Sequence, residues 1–130
     1  MSDDQLQVEL VAADRTVWSG QATMVIARTT EGDVGVLRNH APLLSLLVSG
    51  VVEISAVGGD DLVAAVDGGF LSVANNRVSI LSEHAVLSHE IDVEQARADL
   101  EAAEADGEGE DAGERARRAE ARIRAVEKAG

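Results

Sequence analysis

The side chains best suited to chemistry in this sequence are three histidines, His40, His84 and His89. Three histidines could in principle hold a metal ion. Their spacing matches no known metal site, so exposed or capping roles are the preferred interpretation. The sequence also lacks a glycine-rich phosphate loop, a Gly-x-Ser-x-Gly motif and histidines paired at helical spacing. We therefore predict neither a catalytic site nor a metal site.

Two carboxylates flank a glycine in the turn Glu31-Gly32-Asp33. Turn chemistry and solvation are the preferred explanation of such a sequence, and the alternative is an acidic tip that contacts a basic partner. His40, which precedes an Ala-Pro pair, could hydrogen-bond the loop backbone or contact the same partner. The residues by themselves leave both alternatives open.

A cluster of arginines between Arg115 and Arg124 could bind an anion. Residues 92–114, just before it, carry ten acids and one base, whereas residues 115–128 carry six bases and two acids. Because neighbouring segments of opposite charge attract each other, we prefer ion pairing between two facing elements.

The overall composition excludes several classes of protein. The 130 residues have a net charge of −13, which disfavours nucleic-acid binding because phosphates repel such a surface. No apolar run approaches the roughly 20 residues that span a bilayer, so we expect a soluble protein without membrane insertion. Aromatic residues make up only 2%, and a core must therefore consist of Val, Leu, Ile and Ala. The absence of cysteine excludes disulfides and thiolate metal sites.

Short segments with alternating apolar and polar residues fill the first 90 residues, and turn signals such as Gly58-Gly59 and Asn75-Asn76 separate them. We predict nine or ten strands in a β-sandwich or flattened barrel. Val17-Trp18 and residues 22–29 are predicted as separate strands around Gly20. Leu43–Val48 is apolar on both faces and is predicted to be central.

At Asp92 the hydrophobic period changes to that of a helix. Asp92 can cap a first helix in a capping box with Gln95, and glycines at 107, 109 and 113 precede or interrupt a second. We predict a β-sandwich domain over 1–90 and a helical hairpin over 91–130. The predicted apolar stripes are Val93, Ala96, Leu100 and Ala103 on the first helix, and Ala116, Ala119, Ile123 and Val126 on the second. The hairpin has too few large apolar side chains to be stable by itself. It must therefore dock on the sandwich, dock on a partner or stay mobile.

Several segments, taken as a set, resemble the epsilon subunit of the bacterial F-type ATP synthase, called delta in mitochondria. The resemblance spans about residues 5–96. It implies a mostly β protein with some α structure, in which a ten-stranded β-sandwich precedes an antiparallel two-helix hairpin. The segments are Val17-Trp-Ser-Gly-Gln-Ala, Glu31-Gly-Asp-Val-Gly-Val-Leu, His40-Ala-Pro-Leu-Leu, Gly50-Val-Val, Asp67-Gly-Gly-Phe-Leu-Ser-Val, Val78-Ser-Ile-Leu and Glu90-Ile-Asp.

This resemblance implies a non-catalytic rotor subunit that couples the gamma subunit to the c-ring during proton-driven ATP synthesis. Glu31, Asp33 and His40 would contact the c-ring, and one face of the sandwich would pack on gamma. The hairpin could extend to the alpha/beta catalytic hexamer and hinder ATP hydrolysis. The protein would be peripheral, on the cytoplasmic side of the cell membrane.

Some members of that family bind ATP through an Ile/Leu-Asp-x-x-Arg-Ala motif and two arginines one helical turn apart. Asp92, Arg118 and Arg122 match these positions, but Gln95 replaces the motif arginine. Losing one charge-assisted contact costs about 1.5–3 kcal/mol. We therefore expect ATP binding to be weak or absent, and no other cofactor. Arg38 is a further departure, since many relatives have proline there.

A different class of function remains open from the residues alone. The chain could be a free-standing β-sandwich binding module with a helical oligomerisation tail. Such a module would need aromatic or convergent polar pocket residues, and the single Trp18 and Phe70 argue against it.

Overall fold

The computed structural model of the chain describes residues 5–59, 61–107, 109 and 111–129. These residues form nine strands, a 3₁₀ turn at Ser88–Glu90 and two α-helices, α1 (Val93–Asp106) and α2 (Ala112–Ala129). The strands are β1 (Leu6–Val11), β2 (Thr16–Thr29), β3 (Gly32–Leu37), β4 (Leu43–Leu47), β5 (Gly50–Ala56), β6 (Leu62–Val66), β7 (Gly69–Ala74), β8 (Arg77–Leu81) and β9 (Ala85–Leu87). The predicted fold, a β-sandwich followed by a two-helix hairpin, is confirmed.

The described part of the chain has nine strands rather than ten because β2 is one continuous strand of 14 residues. The predicted break at Gly20 is wrong. A Cβ placed on Gly20 would lie 2.8 Å from the ring of Trp18, so the glycine makes room for the indole instead of ending the strand.

The strands form one sheet in the order β1-β8-β7-β4-β2-β5-β6-β9, and β3 pairs with β2. β1 pairs with both β8 and β2, which closes β1, β8, β7, β4 and β2 into a flattened barrel. The β1–β8 pair is parallel and the other pairs are antiparallel. Among the described strands, β3 has β2 as its single partner and therefore leaves a free edge.

The core of the sandwich is aliphatic, as its composition predicted. Alternate residues of β1 are fully buried while those between them are exposed, which is the pattern of a strand with one covered face. The largest fully buried side chains are Leu6, Leu10, Ile54, Leu71, Ile80, Val8, Val25, Val36, Val52, Val73 and Val78.

The prediction that Leu43–Val48 is a central strand is confirmed, because β4 lies between β7 and β2, but its two apolar faces are not both buried. Leu47 is buried, whereas Leu44 and Leu46 are 72% and 52% exposed. The strand pairs with β7 along its length, and nothing in the described chain covers its outward face. An apolar sequence cannot by itself show whether a second layer exists to cover it.

The caps of α1 agree in part with the sequence. The Asp92 carboxylate accepts the backbone N–H groups of Glu94 and Gln95, each at 3.1 Å. The Gln95 amide donates instead to Asp99 at 2.9 Å, so the reciprocal half of the predicted capping box is absent. Gly107, with a φ of 37°, ends α1 as predicted. Gly113, predicted as a break, lies inside α2.

α2 lies between α1 and the sheet and packs on β5 and β6. Of the predicted stripe on α2, Ala119 is buried and Ala116, Ile123 and Val126 are half-buried. Ala121 and Ala125, which lie outside that stripe, are buried as well. Ala121 and Ala125 pack against Val63 and Ala65 of β6. Strand β6 is consequently buried on both faces, by the barrel core on one side and by α2 on the other.

Candidate functional site

The acidic turn between β2 and β3 is held by Thr29. The Thr29 hydroxyl donates to the carbonyl of Gly32 at 2.8 Å and accepts the backbone N–H of Glu31 at 3.1 Å. Gly32 has a φ of 111°, which favours glycine. The carboxylates of Glu31 and Asp33 are both exposed, and Asp33 lies 3.7 Å from the Arg28 guanidinium. The turn therefore presents acidic groups on a backbone that is held in place.

His40 belongs to a second turn, just beyond the other end of β3. Its backbone N–H donates to the carbonyl of Leu37 at 3.1 Å, and Asn39 has a φ of 65° at the third position of this turn. Arg38 occupies the second position, where type II turns favour proline. The ring atom Nδ1 lies 2.6 Å from the carbonyl oxygen of Ala41. Because a carbonyl only accepts, Nδ1 carries the proton and Nε2 is left for another contact.

The acidic turn and the His40 turn do not form one cluster. They lie at opposite ends of β3, and the five residue steps from Gly32 to Leu37 correspond to about 16 Å at roughly 3.3 Å per residue. The free edge of β3 connects them. A single partner that contacts Glu31, Asp33 and His40 must therefore extend along this edge.

An exposed apolar surface, which the sequence analysis missed, lies on three neighbouring strands. Leu46 of β4 pairs with Phe70 of β7, which pairs with Leu81 of β8, and Leu44 stands two residues along β4. We call these four residues the apolar face; Leu44, Leu46, Phe70 and Leu81 are 72%, 52%, 48% and 48% exposed. Contiguous exposed apolar residues of this kind mark interaction surfaces. The sequence signal is the run of leucines on both faces of β4, from which we predicted a central strand.

Gly69 makes the middle of the apolar face possible. It has a φ of 116°, and a Cβ at this position would lie 1.8 Å from the carbonyl oxygen of Leu81. Only glycine lets the backbones of β7 and β8 approach so closely beside Phe70.

Asp67 joins the sheet to α2. Its carboxylate accepts the Ser49 hydroxyl at 2.7 Å on one oxygen and the Arg118 Nε–H at 2.8 Å on the other. The Asp67 side chain is 19% exposed and that of Arg118 is 36% exposed. The preferred prediction, that the arginines of α2 pair with the acidic α1, therefore fails for Arg118.

Other ion pairs join the hairpin internally and to the sheet. Arg115 pairs with Asp106 of α1 and, at 3.2 Å, with Asp111, as the opposite charges predicted. Lys128 lies 3.4 Å from Glu53 of β5. These pairs connect the two helices near their linker and α2 near its end to the sheet.

A bidentate ion pair holds the segment that precedes α1. The Arg15 guanidinium donates to both oxygens of Glu90, at 3.0 and 2.8 Å, and the backbone N–H of Leu87 donates to Glu90 at 3.0 Å. The hydrogen bonds from Arg15 and then from Leu87 lower the pKa of Glu90 to about 2. The β1–β2 turn is thus tied to the start of the hairpin.

The three residues that match a nucleotide motif do not line one cavity in the described structure. Arg118, with His84, Asp99 and Arg122, lines a hollow between α1, α2 and the loop before β9. Asp92 and Gln95 line a neighbouring hollow, and Arg122 borders both. Asp92 caps α1 and Arg118 is bound to Asp67, so two of the three polar groups already have partners.

The described residues contain no group of three His, Asp or Glu side chains that could hold a metal ion. His40, His84 and His89 lie in separate parts of the structure, on the β3–β4 loop, before β9 and in the 3₁₀ turn. No helix among the described residues is long and apolar enough to cross a bilayer.

Comparison with known sequences gives a consistent result. Residues 5–88 match the family model described as ATP synthase, delta/epsilon chain, beta-sandwich domain. A relative from Streptomyces avermitilis named ATP synthase epsilon chain is 53% identical over 122 residues, covering 94% of this chain and 95% of that protein. A relative of the same name from Rhodococcus jostii is 50% identical over 126 residues, covering 96% and 98%.

Two solved structures resemble this chain. One chain of the Euglena gracilis mitochondrial ATP synthase, in a complex described as OSCP/F1/c-ring, has a TM-score of 0.77 at 28% identity, with coverage of 97% of this chain and 81% of that one. A chain of the Tetrahymena thermophila mitochondrial ATP synthase central stalk and c-ring has a TM-score of 0.58 at 18% identity, with coverage of 95% of both. At that identity the second likeness concerns the fold.

Proposed function

Because the chain belongs to the ATP synthase delta/epsilon chain family, we propose that it is a non-catalytic subunit of the central stalk. In this role it joins the gamma subunit to the c-ring and turns with them. It is peripheral, on the cytoplasmic side of the cell membrane, and it neither inserts into the bilayer nor binds nucleic acid. The structurally similar chains come from complexes described as F1/c-ring and central stalk/c-ring, which supports this assignment.

The apolar face is the observation that carries the proposal, and gamma is the partner that covers it. Covering a fully exposed Leu or Phe side chain contributes about 1.5–3 kcal/mol. Its four side chains are about half exposed, so covering them contributes roughly 3–6 kcal/mol before the loss of freedom on association. A stalk contact that transmits torque needs such a stabilising apolar centre.

The edge of β3 is the surface proposed for the c-ring. The carboxylates of Glu31 and Asp33 suit basic groups on polar loops, and His40 offers Nε2 to a donor at the other end of the strand. Because these groups are about 16 Å apart along the edge, they could engage more than one loop of a ring. Two separated contacts suit a joint that transmits torque, because each contact prevents the chain from pivoting on the ring about the other contact.

The hairpin is proposed to be the regulatory element, which leaves the sandwich and extends to the alpha/beta hexamer to hinder ATP hydrolysis. Its contact with the sheet supports this proposal, because alanines and two partly exposed ion pairs, Arg118–Asp67 and Lys128–Glu53, are weak anchors. Two docked positions can both be populated only if neither is favoured by many kcal/mol.

ATP is not proposed as a cofactor. Gln95 stands where the motif arginine would reach a phosphate, and its amide is bonded to Asp99. Asp99 also lines the hollow beside Arg118, which places a negative charge where a polyphosphate would lie.

A double substitution on the apolar face tests the proposed contact with gamma. Leu46→Asp with Phe70→Asp should abolish co-purification of the chain with gamma from detergent-solubilised membranes, because the buried interface would contain two unpaired charges. Both side chains point outward, so the fold should persist, as checked by a cooperative thermal transition. Val57→Asp, at an exposed apolar residue near the end of β5, is the matched control.

Retention of gamma by the double variant, at the level of the Val57→Asp control, would refute the apolar face as the gamma-binding surface. If the unsubstituted chain itself failed to co-purify with gamma and c subunits, the role as a stalk subunit would be wrong.

A further inference from the structure

The side chain of Asn76 reaches from one turn of the sandwich to another. Asn75 and Asn76 form the two-residue turn between β7 and β8, with φ angles of 52° and 61°. Positive φ at both residues defines the type I′ turn of tight hairpins, in which asparagine is favoured. The carbonyl of Asn76 accepts the N–H of Gln7 at 2.8 Å, which also joins the turn to β1. Asn76 is therefore fixed by three strands.

The Asn76 side chain is hydrogen-bonded to the backbone of the His40 turn. Its Oδ1 accepts the N–H of Asn39 at 2.5 Å, and its Nδ2 lies 3.5 Å from the Asn39 side-chain oxygen. Asn39 has a φ of 65°, a conformation that asparagine adopts more readily than most residues. This hydrogen bond is made by the backbone of Asn39, the residue immediately before His40, and the backbone conformation of Asn39 determines where the His40 side chain points.

We propose that Asn76 is a positioning residue for the His40 turn: its amide oxygen holds the Asn39 backbone so that His40 is presented to the c-ring. The inference rests on the proposed contact between His40 and the ring. Free of this bond, the turn between Leu37 and His40 would sample further conformations, and each contact with the ring would first have to order it.

Three variants distinguish the effect of losing the Asn76 amide oxygen from the effect of changing the backbone of the β7–β8 turn. Asn76→Gly removes the side chain and keeps the positive φ. Asn76→Asp keeps an acceptor oxygen. Asn75→Gly is the matched control, because Asn75 lies in the same turn with positive φ and no described bond to the His40 turn.

Amide hydrogen exchange of Asn39, measured by NMR on the full chain, is the direct readout. In Asn76→Gly the exchange should be faster by about tenfold, the upper range for one hydrogen bond. In Asn76→Asp and in Asn75→Gly it should remain close to that of the unsubstituted chain. Equal exchange in Asn76→Gly and Asn75→Gly, or failure of Asn76→Asp to rescue, would overturn the proposal.

The assembled ATP synthase gives the functional readout, as protons pumped per ATP hydrolysed in membrane vesicles. Asn76→Gly should lower this ratio in the same direction as His40→Ala, while Asn76→Asp and Asn75→Gly should not. If His40→Ala lowers the ratio and Asn76→Gly does not, the positioning role is refuted and the ring contact stands. If neither lowers it, the proposed ring contact of His40 is itself wrong.

Discussion

Arg118→Ala should shift the hairpin from its docked position on the sheet towards an undocked one. The substitution removes the guanidinium that donates to Asp67 at 2.8 Å, and it leaves a carboxylate that is 19% exposed with Ser49 as its remaining side-chain partner. Undocking would return this carboxylate to water. Both effects favour the undocked state.

The free energy that the Arg118–Asp67 pair contributes to docking can be estimated from the burial of the two side chains. A hydrogen bond to a charged group contributes about 1.5–3 kcal/mol when well shielded, and an exposed ion pair contributes about 0.2–1 kcal/mol. The Arg118–Asp67 pair lies between these cases, so about 1–2 kcal/mol is expected. The buried methyl groups of Ala121 and Ala125 contribute about 0.8 kcal/mol each. Losing the pair should therefore raise the ratio of undocked to docked hairpin about tenfold.

A distance measurement can detect this shift directly. The chain has no cysteine, so Val57→Cys and Glu127→Cys can carry two spin labels, one on the sandwich and one on α2. Pulsed electron paramagnetic resonance then reports the fractions of short and long distances between the two labels in the full chain. Arg115→Ala is the matched control, because Arg115 pairs with Asp106 and Asp111 within the hairpin.

Two results would refute the reasoning. If Arg118→Ala and Arg115→Ala gave the same distance distribution as the unsubstituted chain, the ion pair would not contribute to docking. If both variants increased the long distance equally, the effect would come from weakening the hairpin and not from releasing it.

Three further outcomes are expected. Glu31→Lys with Asp33→Lys should lower proton-driven ATP synthesis in membrane vesicles, because it places positive charge on the edge proposed to meet basic loops. Gly69→Ala should destabilise the fold by more than about 3 kcal/mol in urea unfolding, since its Cβ would overlap a backbone oxygen, whereas Gly35→Ala, with open space around it, should have little effect. Glu90→Gln should reduce the loss of unfolding free energy between pH 4.5 and pH 2, measured by urea unfolding at each pH. The pKa of Glu90 is lowered from 4.5 to about 2, so its contribution to stability is complete above pH 4.5 and is lost as the pH falls towards 2.

The charge reversal at the acidic turn needs its own control. Asp61→Lys with Glu83→Lys changes the net charge equally at exposed sites away from β3. Equal rates of ATP synthesis in the two double variants would contradict a contact at the acidic turn. An Asp33→Lys protein that failed to fold would be recognised by its thermal transition, and Glu31→Lys alone would then be used.

The local elements of this protein could be predicted from its sequence. The alternation in β1, the turn signal at Asn75-Asn76 and the cap at Asp92 depend on neighbours within a few residues, so their patterns can be read directly. The change of period near Asp92 likewise separated strands from helices. The acidic turn at Glu31 could be located for the same reason, although its partner could not.

Which faces of the strands are covered could not be predicted from the sequence, because it depends on how distant segments pack. Leu44 and Leu46 are as apolar as buried strand residues, and they are exposed because no layer of the described chain covers β4. Arg118 meets Asp67 across 51 positions of sequence, and Asn39 meets Asn76 across 37. Such pairs depend on how the sheet closes and where α2 docks, because the local pattern of a chain sets periods and turns but not which distant segment lies opposite.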